Sequence, residues 1–264
     1  MRLALIGFGG LGRIVADYLS RDPDVEVVAV AARAHQAEAV GALLPAARVV
    51  DSAAALLECT PDLAVECASH DAFRQYAEAV LRAGIDLIAV SCGVLAERPY
   101  REHLLSVAAN AGASLEIPAG AIGAIDVIAA ARTAGLDRVV YVTRKNAQAW
   151  RNTPAARMVD LDGVRQPTLF FDEIAERAAL VFTDKANVCA TLALAGIGFE
   201  RTRVQFWLDP AVTKSVHHIE AEGACGTLRV ELANNVAPHD GKASLLTAMS
   251  ILRAVRNRSA TLRV

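Results

Sequence analysis

Aromatic residues are scarce in this 264-residue chain, at 5%, and charge is almost balanced, with a formal net charge of −2. Few aromatics argue against a surface that stacks nucleobases. Balanced charge leaves no basic excess for nucleic acid or for an acidic membrane. Neither a nucleic-acid partner nor a membrane partner is expected. Long hydrophobic runs are missing too, since no stretch reaches the ~18 unbroken apolar residues of a membrane span. The opening "MRLALIGFGGLG" starts like a secretory leader, with Arg2 before an apolar run. Glycines break that run within a few residues and no small-x-small cleavage pattern follows, so no signal peptide is expected. The five cysteines (Cys59, Cys67, Cys92, Cys189, Cys225) are odd in number and show no C-x-x-C spacing. Their pattern offers no zinc site and suits reduced thiols in the cytoplasm.

What the chain does have is a core. Hydrophobic residues make up 54% and charged residues 21%, a packed globular composition long enough for one large domain or two modest ones. Over residues 1–120, short apolar runs alternate with helical patterns. "RLALIG", "VEVVAVAAR", "DLAVECAS", "IDLIAVS" and "ASLEIPAG" read as buried strands. Between them, "GLGRIVADYLSRD" puts Leu11, Ile14, Val15 and Leu19 on one helical face. "DAFRQYAEAVLRAG" is a second helix, capped by Asp71 and stopped by Gly84. Such βα repeats wind into a parallel sheet with helices on both faces.

The pattern changes after Gly120. "IGAIDVIAAARTAG" predicts a helix that Ala121 opens. "DRVVYVTRK", "RTRVQFWLD", "SVHHIEAEG" and "GTLRVELAN" alternate polar and apolar residues, as strands of a one-sided antiparallel sheet do. Helices are expected over 172–182 and 187–195, and an amphipathic helix closes the chain. The fold class expected is α/β: a Rossmann-type doubly wound parallel sheet over residues 1–120, plus a second α+β domain with a mainly antiparallel sheet over 121–241. The closing helix, within 242–264, is expected to pack back on the first domain.

Gly7, Gly9 and Gly12 form G-x-G-x-x-G between the first strand and the first helix, the context in which the motif binds a dinucleotide. Gly7 makes the tight turn, Gly9 lets backbone approach a pyrophosphate, and Gly12 lets helix and strand pack closely. With Gly10 and Leu11, these residues open a helix whose N–H groups and dipole attract phosphate. The second strand lacks the acidic residue that usually holds an NAD ribose, and ends in Arg33 followed by His35. An arginine pairs with a 2′-phosphate, so the expected cofactor is NADP or NAD, with NADP accepted. Two later strand ends, "SCGV" with Ser91 and "PAGAIG" with Ala121, fall where ligands bind in open α/β sheets.

"KSVHHIEAEGACG" holds two adjacent histidines. Alternation puts Val216, His218, Glu220 and Glu222 on one face and His217, Ile219 and Ala221 on the other. The second face is apolar, so His217 points inward. Two neighbouring strand histidines diverge and cannot share one metal ion. Imidazole exchanges protons near neutral pH, which suits His217 to acid/base work beside a nicotinamide.

These stretches resemble the L-aspartate dehydrogenase family along essentially the whole chain. The resemblance is carried by "IGFGGLG", "PAGAIGAID", Thr143–Pro154, Ala186–Phe199, Asp209–Gly226 and the closing "NNVAP…K…LTAMSIL". It implies oxidation of aspartate to iminoaspartate with NAD or NADP, a homodimer, and in many bacteria and archaea a role in NAD biosynthesis. It places the active-site histidine on His217 and the nicotinamide contacts on Ala121 and Asn187. The chain departs from the family at Ser215, where N-x-H is usual, around Lys185, where P-x-N-x-N-V is usual, and at "APHDGK". A dicarboxylate substrate needs cations, and Lys185, Lys214, Lys242 and the Arg144–Lys145 pair are candidates. A related amino- or imino-acid dehydrogenase, a dihydrodipicolinate or homoserine dehydrogenase type of enzyme, and an inactive nucleotide-binding regulator remain as alternatives.

Overall fold

In a computed structural model, described over residues 1–183, 186–237 and 244–263, the chain divides into two compact units. The first comprises Met1–Gly120 and the C-terminal segment from Thr247. The second comprises Ala121–Val236 and Ser244–Leu246.

Six strands build the first unit: β1 (Arg2–Ile6), β2 (Glu26–Ala31), β3 (Arg48–Val50), β4 (Leu63–Glu66), β5 (Asp86–Ala89) and β6 (Leu115–Glu116). All pair in parallel, in the order β3-β2-β1-β4-β5-β6. Their near-continuous Val, Ile, Leu and Ala reflect burial on both faces. The helices between them are α1 (Gly10–Leu19), α2 (Ala37–Leu43), α3 (Ala53–Leu57), α4 (His70–Arg82) and α5 (Arg98–Ala111). Strand order reverses between β1 and β4, so the crevice at their carboxyl ends is the place for a ligand.

Three details differ from expectation. Ser69, not Asp71, caps α4, its hydroxyl accepting from Ala72 N at 3.2 Å, while Asp71 sits in the first turn. The strand expected over 113–120 shrinks to Leu115–Glu116, because Pro118 has no N–H for a ladder and Gly120 turns at φ +67°. β3 is a short strand with no clear periodic signal in the sequence. The last helix, α10 (Leu245–Ser259), buries Ile251, Leu252 and Val255 in the same cluster as Leu5, Val15 and Val30. At roughly 1.5–3 kcal/mol for each large side chain, this seam contributes strongly to the first unit.

The second unit holds β7 (Leu136–Lys145), β8 (Thr168–Ile174), β9 (Arg203–Leu208), β10 (Ser215–Gly223) and β11 (Gly226–Asn234) in the order β11-β10-β7-β9-β8. Only β7 and β9 run parallel, and the other neighbours are antiparallel. The helices are α6 (Ile125–Ala134), α7 (Ala147–Trp150), α8 (Ala175–Val181) and α9 (Asn187–Ala195). The helix expected over 172–182 begins only at Ala175. Its first residues belong to β8, where the aromatic run pairs Phe171 with Phe206.

One face of this sheet is buried. It carries Tyr141 and Thr143 from β7, Val204, Phe206 and Leu208 from β9, and His217, Ile219 and Ala221 from β10. The few aromatics concentrate beside it: Trp150, Phe171 and Phe182 each lie within 5.3 Å, centroid to centroid, of Phe206. The opposite face presents Val142, Arg144, Gln205, Trp207, Val216 and His218 to a groove of about 950 Å³.

Candidate active site

The glycine turn of the first unit shows why each glycine stands where it does. Gly7 adopts φ +103°, and a Cβ there would lie 2.5 Å from Ala68 Cβ. A Cβ on Gly12 would lie 2.2 Å from the Gly7 carbonyl oxygen. Both positions exclude a side chain. Gly9 is different, because a Cβ there would meet no protein atom within 4 Å. Its bareness leaves open space at the start of α1. That helix has no side-chain cap and no acidic residue in its first turn. An uncapped N-terminus behind an open glycine fits a pyrophosphate, which the first-turn N–H groups of Gly10, Leu11 and Gly12 would hold.

The end of β2 is tied to this turn by a residue that sequence reasoning missed. Gln36 Nε2 donates to Phe8 O at 2.8 Å, and Gln36 Oε1 accepts from Arg33 N at 3.1 Å. Arg33 is exposed, and no carboxylate stands between the end of β2 and Gln36. The Arg13 guanidinium lies 5.3 Å from the Phe8 ring centroid, on the same turn.

At the carboxyl ends of β4 and β5, Ser91 is buried. Its donors go to Glu66, also buried, whose carboxylate further accepts from Ala68 N at 2.7 Å and Ser69 N at 3.1 Å. Burial pushes the Glu66 carboxyl up and these donors pull it back, with burial the larger influence. Ser91 therefore braces two strand ends with its hydroxyl. The hint in the sequence was a glutamate inside an apolar strand, a position that demands partners.

In the second unit, the register of β10 against β7 sets His217 opposite Thr143 and Ile219 opposite Tyr141. Tyr141, Thr143 and His217 thus share the buried face. His217 Nδ1 lies 2.7 Å from Tyr141 Oη, and the two rings are 18° from parallel. Burial, then the Lys145 ammonium, pulls the His217 imidazole down from 6.5 to about 3, so it is neutral at physiological pH. Burial holds the Tyr141 phenol well above its ordinary range. His218 faces the other way, its Nε2 3.2 Å from Glu220 Oε1. The split between the two histidines is the one that strand alternation predicts.

The other expected residues lie as follows. Ala121 is nearly buried and sits four residues ahead of α6, so it does not open that helix; its carbonyl accepts from Asn234 Nδ2 at 2.6 Å. Asn187 is the first residue of α9, and its carbonyl accepts from Thr191 Oγ1 at 2.9 Å. Among the candidate cations, Lys145 is the one that His217 feels electrostatically. Arg144 points to the opposite face, over Trp207 and 3.5 Å from Asp209. Lys214 is exposed. Lys185 and Lys242 lie outside the described residues. Among the described residues, no cluster of His, Cys, Asp and Glu is arranged to hold a metal ion, and no helix is long and apolar enough to cross a membrane.

A parallel sheet in this order, with an uncapped glycine turn at its switch point, defines the class: a Rossmann-type dehydrogenase with a nicotinamide dinucleotide site. Residues 7–118 match the family described as homoserine dehydrogenase, NAD binding domain, and residues 126–258 match aspartate dehydrogenase, C-terminal. The chain belongs to the aspartate dehydrogenase family. It is 40% identical over 263 residues to an L-aspartate dehydrogenase of Ralstonia pickettii and 41% identical over 263 residues to one of Ralstonia nicotianae, with 98% of each chain covered in both cases. The solved aspartate dehydrogenase of Thermotoga maritima superposes with a TM-score of 0.78 at 25% identity, covering 100% of this chain and 99% of that one.

Proposed function

We propose that the protein is an NAD(P)-dependent L-aspartate dehydrogenase, oxidising aspartate to iminoaspartate, which water converts to oxaloacetate and ammonia. Full-length identity of 40% to an enzyme of that name carries the reading. The buried, neutral His217 beside a lysine is the chemistry such a substrate needs. Gly7, Gly9, Gly10, Leu11 and Gly12 hold the pyrophosphate, Arg33 meets the 2′-phosphate of NADP, Ser91 lines the same strand ends, and Ala121 and Asn187 contact the nicotinamide. The bound nicotinamide supplies the hydride acceptor.

His217 takes the proton that the substrate ammonium must lose before hydride can leave Cα. Lys145 supplies positive charge for a substrate carboxylate, which in turn offsets its depression of the imidazole. Ser215 and the segment around Lys185 differ from the usual family residues, so the test covers more than aspartate. Purified protein is assayed with aspartate, glutamate, alanine and homoserine, with both oxidised cofactors, and with oxaloacetate plus ammonia in reverse. Turnover fastest with aspartate is expected, and turnover on none of them would support an inactive nucleotide binder instead. NAD biosynthesis is the route such an enzyme would feed, and a cytoplasmic setting suits its reduced thiols.

The open sheet face is proposed as the interface of a homodimer. Four arginines and five carboxylates line it around Val140, Val142, Val216 and Trp207. A surface carrying both signs can meet its own copy across a two-fold axis. Sedimentation should give a dimer at micromolar concentration, and Trp207→Asp should give monomer. A monomeric native protein would overturn this part of the reading.

A further inference from the structure

We propose that Arg13 is a second cation for the 2′-phosphate of NADP, acting with Arg33, and that Phe8 is the residue that joins the two. The proposal rests on the reading of Arg33 as a 2′-phosphate residue and adds a specificity-determining residue on a different segment, α1.

Phe8 lies inside the glycine turn and is 2% exposed. Its carbonyl and its ring hold different segments. Phe8 O accepts from Gln36 Nε2 at 2.8 Å, and Gln36 Oε1 accepts from Arg33 N at 3.1 Å, so one amide group spans from the turn to Arg33. Gly7 N donates to Ala31 O at 2.9 Å, which ties the turn to the end of β2 as well. The Phe8 ring carries the Arg13 guanidinium, 5.3 Å from its centroid. Arg13 closes the first turn of α1, its N–H donating to Gly9 O at 2.9 Å. Side chains on a helix lean toward its N-terminus, so Arg13 reaches back over the turn rather than onward along the helix. A guanidinium over a ring keeps its N–H donors at its edge, where they can grip phosphate oxygens at two points.

The charge at this turn is unbalanced. Asp17 is the acid one helical turn beyond Arg13, and it pairs with Arg21 instead. An acid N-terminal to its base is the better i,i+4 order, which favours Arg21 as its partner. Arg2, Arg48 and Arg258 of the same unit also pair with acids. Among the described residues, no carboxylate pairs with Arg13 or Arg33, and both side chains are exposed. The first turn of α1 holds no acid, and a cation there opposes the positive end of the helix dipole. An anion would relieve all three positive groups. The pyrophosphate already has its donors in the first-turn N–H groups. The 2′-phosphate is the other anion of the cofactor, with a charge of about −2 at neutral pH, on the ribose that the end of β2 meets.

The test is isothermal titration of the full chain with NADP and NAD, and with 2′,5′-ADP and 5′-AMP, a pair that differs only in the 2′-phosphate. Arg13→Ala should raise the Kd of NADP and of 2′,5′-ADP about tenfold, the scale of one charge-assisted contact, and move that of NAD and 5′-AMP less than about twofold. Unmoved NAD binding also shows that the turn is intact. Arg13→Lys keeps the charge without the planar fork and should fall between. With Arg13 and Arg33 both changed to Ala, NADP should bind no tighter than NAD. Equal weakening of NADP and NAD by Arg13→Ala would assign Arg13 to the pyrophosphate or to the turn itself and overturn the proposal. An unchanged NADP Kd in Arg13→Ala, with Arg33→Ala still damaging, would remove the second cation and leave the reading of Arg33 standing. A native chain that binds 2′,5′-ADP no tighter than 5′-AMP would overturn both.

Discussion

Ser91 is bonded twice to Glu66: its N–H donates to Oε2 at 3.0 Å and its hydroxyl to Oε1 at 2.8 Å. The carboxylate thereby joins the end of β5 to the start of the loop after β4. The loop residue Ala68 is also the atom wall that forbids a side chain at Gly7. Glu66→Ala should leave the buried N–H and hydroxyl of Ser91 unmatched, together with the more exposed N–H groups of Ala68 and Ser69, and cost about 2–4 kcal/mol of stability, read by urea unfolding. Glu66→Gln keeps the shape but sets an amide N–H₂ against a donor, and should cost less while still raising the cofactor KM. An unchanged cofactor KM in Glu66→Gln would show that the brace does not reach the nucleotide turn.

Arg33 follows a strand with no acid at its end, and Gln36 fixes its backbone to the glycine turn. Arg33→Ala should lower kcat/KM for NADP about tenfold, the scale of one partly exposed charge-assisted contact, and leave NAD nearly untouched. An unaltered NADP to NAD ratio would remove Arg33 from the 2′-phosphate site.

The two histidines should respond oppositely to substitution. His217→Asn should cut kcat by about 10²- to 10⁴-fold while cofactor binding, followed by fluorescence titration, survives. His218→Ala touches only the ion pairs of the open face and should leave kcat within about twofold, the scale of a surface contact. If His218→Ala is the damaging change, the assignment by strand face fails.

His217 also makes stability depend on pH. Its folded value, about 3, lies below its ordinary 6.5. Above pH 6.5 both folded and unfolded states hold it neutral, and its contribution is complete. As pH falls below 6.5, the unfolded chain takes up a proton that the folded chain refuses, so stability is lost until the folded value is reached. At ~1.4 kcal/mol per unit, the loss approaches about 3 kcal/mol near pH 4. His217→Gln should flatten that part of the curve, measured by urea midpoints from pH 7 to 4. Parallel curves would mean that another group dominates the acid sensitivity.

Much of this protein is written locally. Alternating apolar runs and helical stretches reveal the parallel sheet, since a strand and a helix each repeat within a few neighbouring residues. The glycine turn is legible for the same reason, because its spacing lies inside one βα unit, although the wall that excludes a side chain at Gly7 is Ala68, from the loop after β4. The inward aim of His217 follows from a two-residue period along one strand. Failures are local as well: Asp172–Ile174 carries a helix-like mix of residues but joins β8, because pairing with β9 overrides propensity.

Chemistry that depends on two distant segments could not be read this way. Tyr141 and His217 are separated by 76 positions and meet because antiparallel pairing sets β10 against β7 in one register. A slip of one residue would send His217 to the open face and Val216 or His218 inward. Lys145 rather than Lys214 acts on His217, and Glu66 rather than solvent takes the donors of Ser91. Period and residue type are properties of the chain itself. Register is settled by which buried faces fit together, and the Tyr141–His217 pair of the second unit came into being only there.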